Sequence, residues 1–262
     1  MRKGMIHTER DFSIMFYLGF GLTTANYIFD YFFAADGKNK KTRLRVMQRR
    51  LQKLLNEGLI QARYSPRTKS IIYTLTESGA IYVADGTGAE LTNLWTHFPK
   101  DQDMYHDLIV SGVAKKLVRD NEQAADYTLE ALRFERFLKI YYKGKKGVYY
   151  PDIEIWIKTR GGTFKYNIEI DCGTISRRDF FGKINSFEGD ILFITNTEER
   201  LDRLLAYLGT IRPGKKVLLT TKDEFGRNGL LGCKWFSPKY PEEGRNLLTD
   251  EQIWGKESPE GD

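Results

Sequence analysis

Thiols and imidazoles are scarce in this chain. Its two cysteines, Cys172 and Cys233, lie far apart, and with His7, His97 and His106 they form no metal-ligand spacing, so structural zinc is not expected. Isolated thiols of this kind fit a reducing cytoplasm, which is the expected location. No apolar run approaches the length of a bilayer span and residues 1–10 lack the apolar core of a signal peptide, so membrane insertion is not expected. His106 has no Cys or Ser nucleophile near it in sequence and reads as a helix-face histidine. Acidic residues are missing from residues 38–53, where eight Lys and Arg stand together.

What the chain does hold is enough apolar material for packed cores: 41% hydrophobic and 13% aromatic residues in 262, a length that favours two domains. The charge is unevenly spread. Residues 1–85 carry 14 Lys and Arg against 7 Asp and Glu, whereas the remainder carries 27 against 28. The basic third has a field that attracts polyanions, and nucleic acid is the commonest such partner.

Along that basic third, Thr8 or Asp11 can cap a first helix over residues 12–20, and Thr23 or Thr24 starts a second helix with Tyr27, Ile28, Tyr31 and Phe32 on one side. A polar turn at residues 36–39 leads into a third helix over about residues 40–56, ended by Gly58 as a C-terminal cap. On a helical wheel Leu44, Met47, Leu51, Leu54 and Leu55 share one face, while Arg45, Arg49, Gln52 and Lys53 share the other, flanked by Arg43 and Arg50. A helix face kept for solvent would mix Glu with Lys at i,i+4, since like charges there repel. Two strands, residues 59–64 and 70–75, follow around a turn with Arg67 and Lys69 near its tip. Three helices and a basic hairpin are the order of a winged helix-turn-helix, whose third helix enters the major groove. The candidate DNA contacts are therefore Lys41, Thr42, Arg45, Arg49 and Lys53 on the helix and Arg67 and Lys69 on the wing. A short helix opening at Thr76, a turn or linker at residues 85–88 and a connecting helix over residues 103–119 come next.

The second half reads as α/β. Residues 129–140 have helical spacing, a basic turn spans residues 143–147, and strands are expected at residues 148–152, 153–158 and 164–170. A helix at 177–187, a strand at 190–195, a helix at 198–208 and a strand at 216–221 follow, with a further helix and strand after them, so the last strands are joined by crossovers as a parallel segment of a mixed sheet requires. Glu169 and Asp171 share a strand face, and with Asp152 from a neighbouring strand they form a carboxylate group able to hold Mg²⁺, with Asp152 and Glu169 as the ligands. Arg177 and Arg178 are candidate phosphate contacts or partners of Asp171. Tyr141, Tyr142, Tyr149 and Tyr150 could stack on bases, though core or surface roles are commoner for such aromatics. A polar extended tail begins at Pro238, with Trp235 and Trp254 as anchors.

Pro151-Asp152, then Asn167-Ile168-Glu169-Ile170-Asp171 and Gly173-Thr174, resemble the PD-(D/E)xK nuclease-like superfamily and, within it, the replication-relaxation family of plasmids and conjugative elements. Arg10-Asp11, Leu59-Ile60, residues 73–76 and Gly79 resemble that family's N-terminal pattern, so the resemblance covers about residues 9–220. It implies a winged-helix domain over 1–85, a linker and connecting helix over 86–125, a nuclease-like α/β domain over 126–237 and a polar tail over 238–262. It also implies catalytic-position residues Asp152, Glu169, Asp171 and Lys183. One departure matters. An active site of that superfamily has Lys two residues after the Glu; Asp171 stands there, and Lys183 on the following helix is the candidate substitute. The expected function is a DNA-binding protein of a mobile element acting in replication or DNA processing, with an inactive nuclease-like domain and a replication initiator or relaxase as a possible partner. The alternatives are a Mg²⁺-dependent nicking endonuclease and a homodimeric winged-helix transcriptional regulator.

Overall fold

The computed structural model describes residues 7–35, 39–90, 93–125, 127–142, 149–245 and 247. Part of the polar turn (36–38), the basic turn 143–147, Val148 and most of the tail, with Trp254, lie outside the described residues. The chain is mixed α/β and divides into two compact units, Met1–Lys115 and Lys116–Asp262. Among the described residues no helix is long and apolar enough to cross a membrane.

In the first unit, Thr8 caps α1 (Glu9–Gly19) in a capping box with Asp11, so both candidate residues serve the same helix start. Thr24 caps α2 (Ala25–Phe32), and with Thr23 it also forms a two-residue strand β1 that the spacing of residues did not foretell. Asn39 caps α3 (Lys40–Asn56), which ends before Gly58 at φ 69°, a left-handed turn suited to glycine. β2 (Ile60–Ser65) and β3 (Ser70–Leu75) form an antiparallel hairpin, and the sheet order is β1-β3-β2. Ile14, Leu18, Ile28, Met47, Leu51, Leu54, Ile60 and Leu75 close the core between the helices and this sheet. The buried side of α3 is therefore its Met47-Leu51-Leu54 stripe, each side chain worth roughly 1.5–3 kcal/mol of burial.

Thr76 caps α4 (Glu77–Thr87), and Gly79 lets the helix start press on the Leu59 carbonyl, where a Cβ would sit 1.9 Å from that oxygen. Residues 85–88, expected as a turn or linker, are instead the last turn of α4 and its left-handed Gly88 cap, because Ala80 and Val83 bury that helix and carry it on. α5 (Met104–Gln123) contains the division between the units.

The second unit is a seven-stranded mixed sheet in the order β10-β9-β8-β7-β6-β5-β4. Residues 129–140, expected as one helix, split into strand β4 (Thr128–Phe134) and the short helix α6 (Glu135–Tyr141). The apolar spacing was ambiguous: Leu132 and Phe134 bury one strand face at spacing two, and a bulge between Leu129 and Ala131 breaks the alternation that would have shown it. The described part of the expected strand 148–152 is irregular, and Pro151 precedes the bend at Asp152. β5 (Ile153–Thr159) and β6 (Gly162–Asp171) are antiparallel, while β6, β7 (Asp190–Thr195) and β8 (Val217–Thr221) are parallel, joined by α7 (Arg177–Ser186) and α8 (Glu198–Leu208). α9 (Lys222–Gly232), β9 (Trp235–Ser237) and β10 (Tyr240–Arg245) complete the unit, so the tail expected to be extended from Pro238 begins as a hairpin, and Trp235 is buried in it.

Register assigns the faces. Ile153, Ile155, Ile157, Tyr166, Ile168 and Ile170 fill one side of β5 and β6. The other side carries Glu154, Asn167, Glu169 and Asp171, beside Ile191 and Phe193 of β7, which pack under α7 and α8. A polar strand face is normally solvated. Here it is buried.

Candidate nucleic-acid interface and carboxylate cluster

The cations of α3 divide by use. Arg43 donates to the carbonyls of Phe33 and Ala34 and lies 5.6 Å over the Phe29 ring, and Arg50 pairs with the buried Asp11 at 2.9 Å. Both fasten the helix to its own unit. Lys40, Lys41, Arg45, Arg49 and Lys53 are exposed and make no ion pair or hydrogen bond with any described residue. Thr42 is half-buried, its backbone N–H donating to the Asn39 cap at 2.9 Å. On the hairpin, Lys69 stands exposed at φ 51°, whereas Arg67 donates to the Gln102 carbonyl and covers the Tyr105 ring at 5.0 Å. Arg67 is thus partly engaged within its own unit, and Lys69 is the more available cation of the hairpin.

Asp152, Glu169 and Lys183 meet on the buried polar face. Glu169 is 0% exposed two residues before the C-terminal end of β6, and its Oε2 accepts from the Lys183 ammonium of α7. Asp152 anchors the entry to β5 by accepting the Ile170 N–H at 2.8 Å, and its charge reaches both Glu169 and Lys183. Burial, with Asp152 adding repulsion, holds the Glu169 carboxyl well above the usual carboxylate range, against the pull of Lys183. Burial alone would pull the Lys183 ammonium down, but the charges of Glu169 and Asp152 outweigh it and the net direction is up. Glu135, at the start of α6, adds a weaker negative charge to each.

Asp171 belongs to a second, separate pair. Its Oδ2 accepts from Arg200 Nε in α8, and its Oδ1 accepts the N–H groups of Gly173 at 2.9 Å and Ile175 at 3.3 Å. Arg177, a candidate partner of Asp171, instead lies over Phe181 and Tyr207 and reaches Thr210, while Arg178 is exposed. Arg200 was the residue the sequence reading missed. Its signal was present: Arg200, Leu204 and Leu208 stand at spacing four on the buried stripe of α8, so a cation occupies a core position.

The donor set can be tested against Mg²⁺, which needs hard oxygen ligands in near-octahedral array. One buried carboxylate oxygen, Glu169 Oε1, lacks a hydrogen-bond partner. The other Glu169 oxygen is held by Lys183, the Asp171 oxygens are spent on Arg200 and the 173–175 turn, and among the described residues no group of three His, Cys, Asp or Glu is arranged to hold a metal ion. A divalent ion would have to displace an ammonium from a fully buried carboxylate, so these residues do not fit a resident Mg²⁺.

Beside this cluster along the strands, Glu154 takes Arg133 at 3.2 Å and Trp156 Nε1 at 3.3 Å on Oε1, and Lys165 at 2.8 Å on Oε2. Asn167 donates to the carbonyls of Glu188 at 2.6 Å and Asp190 at 3.3 Å. Comparison of the chain with family models, with curated proteins and with solved structures finds no match in any of the three. The replication-relaxation resemblance rests on the residues themselves.

Proposed function

We propose that this protein binds double-stranded DNA through a winged helix formed by its first unit, and that it acts in replication or DNA processing on a mobile element. The order helix, strand, helix, helix, strand, strand, with the sheet arranged β1-β3-β2, supports the winged-helix reading. The observation that carries the proposal is the division of labour on α3: two arginines are consumed by the fold, and five cations face outward with no ion pair to any described acid. A helix so arranged offers Lys41, Arg45, Arg49 and Lys53 to phosphates and base edges, with Lys69 reaching the flanking backbone. In this reading the second unit is a nuclease-like domain whose acidic residues have been turned into internal ion pairs, so that it binds DNA or a protein such as a relaxase or initiator without cutting.

The test is duplex binding across a salt series. If five cations each neutralise a phosphate, log K should fall with log salt with a slope of about −4.5, and the Arg45→Ala/Arg49→Ala double variant should reduce that slope by about 2. At about 0.1 M salt the double variant should bind roughly 50-fold more weakly. Arg50→Ala, which removes a fold-internal partner of Asp11, should leave the slope unchanged while lowering stability by about 1–3 kcal/mol. Unaltered affinity and slope in the double variant would mean that α3 is not the DNA-reading helix.

A further inference from the structure

Next to the Asp152-Glu169-Lys183 cluster, the second unit holds a cavity of about 240 Å³ lined by Tyr142, Tyr149, Tyr150, Glu154, Lys165 and Asn167, among others. That volume is below the ~300–1,000 Å³ of sites for drug-sized molecules and suits one planar ring. Its walls are of two kinds. Tyr142 and Tyr150 lie nearly parallel, 6.3 Å between centroids and 22° between planes, and Tyr142 keeps 42% of its surface exposed. Opposite in chemistry is the strand floor, where Asn167 is 2% exposed. Its amide nitrogen is fixed by two carbonyls, and its Oδ1 accepts no hydrogen bond from any described residue. Lys165 uses one ammonium proton on Glu154 and lies 5.7 Å over the Trp156 ring, which leaves further donors on the strand face that also carries Asn167.

We infer that this cavity is a nucleobase pocket, which takes one unstacked base of a DNA strand between a tyrosine wall and the Asn167-Lys165 edge. An oriented acceptor next to a donor is what the edge of a base, with its adjacent amino or imino donor and ring or carbonyl acceptor, can satisfy. An aromatic face supplies stacking that every base can use. The inference rests on the DNA-binding reading above and adds to it a single-strand site remote from α3 in sequence.

The experiment titrates the full-length protein into a short single-stranded oligonucleotide carrying one fluorescent adenine analogue that dims on stacking, with an unlabelled duplex measured in parallel. The wild type is expected to dim the analogue. Tyr142→Ala, at an exposed position, should weaken single-strand binding by at least about fivefold, the lower end for one base stacked on an aromatic, and Tyr142→Phe should restore it. Ser186→Trp, which fills the cavity from its exposed rim, should abolish the dimming without removing any tyrosine. Duplex affinity should be the same in all of them. If duplex binding is intact but Tyr142→Ala and Ser186→Trp both bind the single strand like wild type, the pocket assignment is wrong while the α3 reading survives. If neither form of DNA binds, both fail together.

Discussion

Lys115 offers the sharpest quantitative test of the first unit. It is 1% exposed in α5, its Nζ donates to the carbonyls of Gly21 at 3.0 Å and Leu22 at 2.7 Å, and it lies 5.8 Å over the Tyr27 ring. Burial without a charged partner lowers its pKa from 10.5 to about 7. The sign follows from proton counting: between those two values the unfolded chain holds a proton that the folded chain has released, so stability rises with pH across that window and is flat below it. With a folded value of about 7, moving from about pH 7 to about pH 9 should add roughly 2 kcal/mol. The neutral amine still has two N–H groups for the two carbonyls. Lys115→Met keeps the length and removes the titration, so it should erase this pH slope while adding a pH-independent cost of about 1–3 kcal/mol for carbonyls left without donors. Denaturant unfolding of both proteins at the two pH values measures it. Parallel pH dependence in wild type and variant would refute the reasoning, because Lys115 would then be charged or solvated throughout.

Two further predictions concern the second unit. Asp171→Asn should lower stability by about 3–5 kcal/mol, since it strands the buried Arg200 charge; a change in melting temperature close to zero would show that this pair contributes nothing to the fold. Adding Mg²⁺ should neither raise the melting temperature nor produce nicking of supercoiled plasmid, and reproducible nicking abolished by Glu169→Ala would overturn the assignment of an internally neutralised site.

Much of the first unit was legible because each helix announces its own start. Thr8, Thr24 and Asn39 are capping residues followed by apolar residues at helical spacing, and Gly58 marks a stop that needs a left-handed backbone. β1 was not legible, because two residues have no periodicity and exist as a strand only through β3. In the second unit the buried parallel strand at Asp190–Thr195 was read with its bounds, being a short apolar run between turn signals. The edge strand β4 was misread as helix because its bulge mimics helical spacing. At the site, the sequence placed Asp152, Glu169 and Lys183 as candidates, and the fold brings them together. It did not reveal that Glu154, Asn167, Glu169 and Asp171 form a buried row, since alternation alone predicts a solvated polar face, and burial depends on helices that arrive later in the chain.

The reversal of charge at Asp171 and the cation on the apolar stripe of α8 are one feature. A lysine at position 171 would face Arg200 in a space where Asp171 is 0% exposed, two cations with no water between them, so Arg200 and a strand lysine exclude each other. Once Arg200 is fixed by the 171 carboxylate and by the Ile175 carbonyl, the cation that answers Glu169 has to come from elsewhere, and α7 supplies it as Lys183. Two helices are thereby tied to neighbouring positions of one strand by separate buried ion pairs, α7 at Glu169 and α8 at Asp171. Each pair satisfies charges that a hydrolytic site would have kept open for a metal and a water. Under the proposed reading, this internal neutralisation is why no cleavage is expected of the second unit.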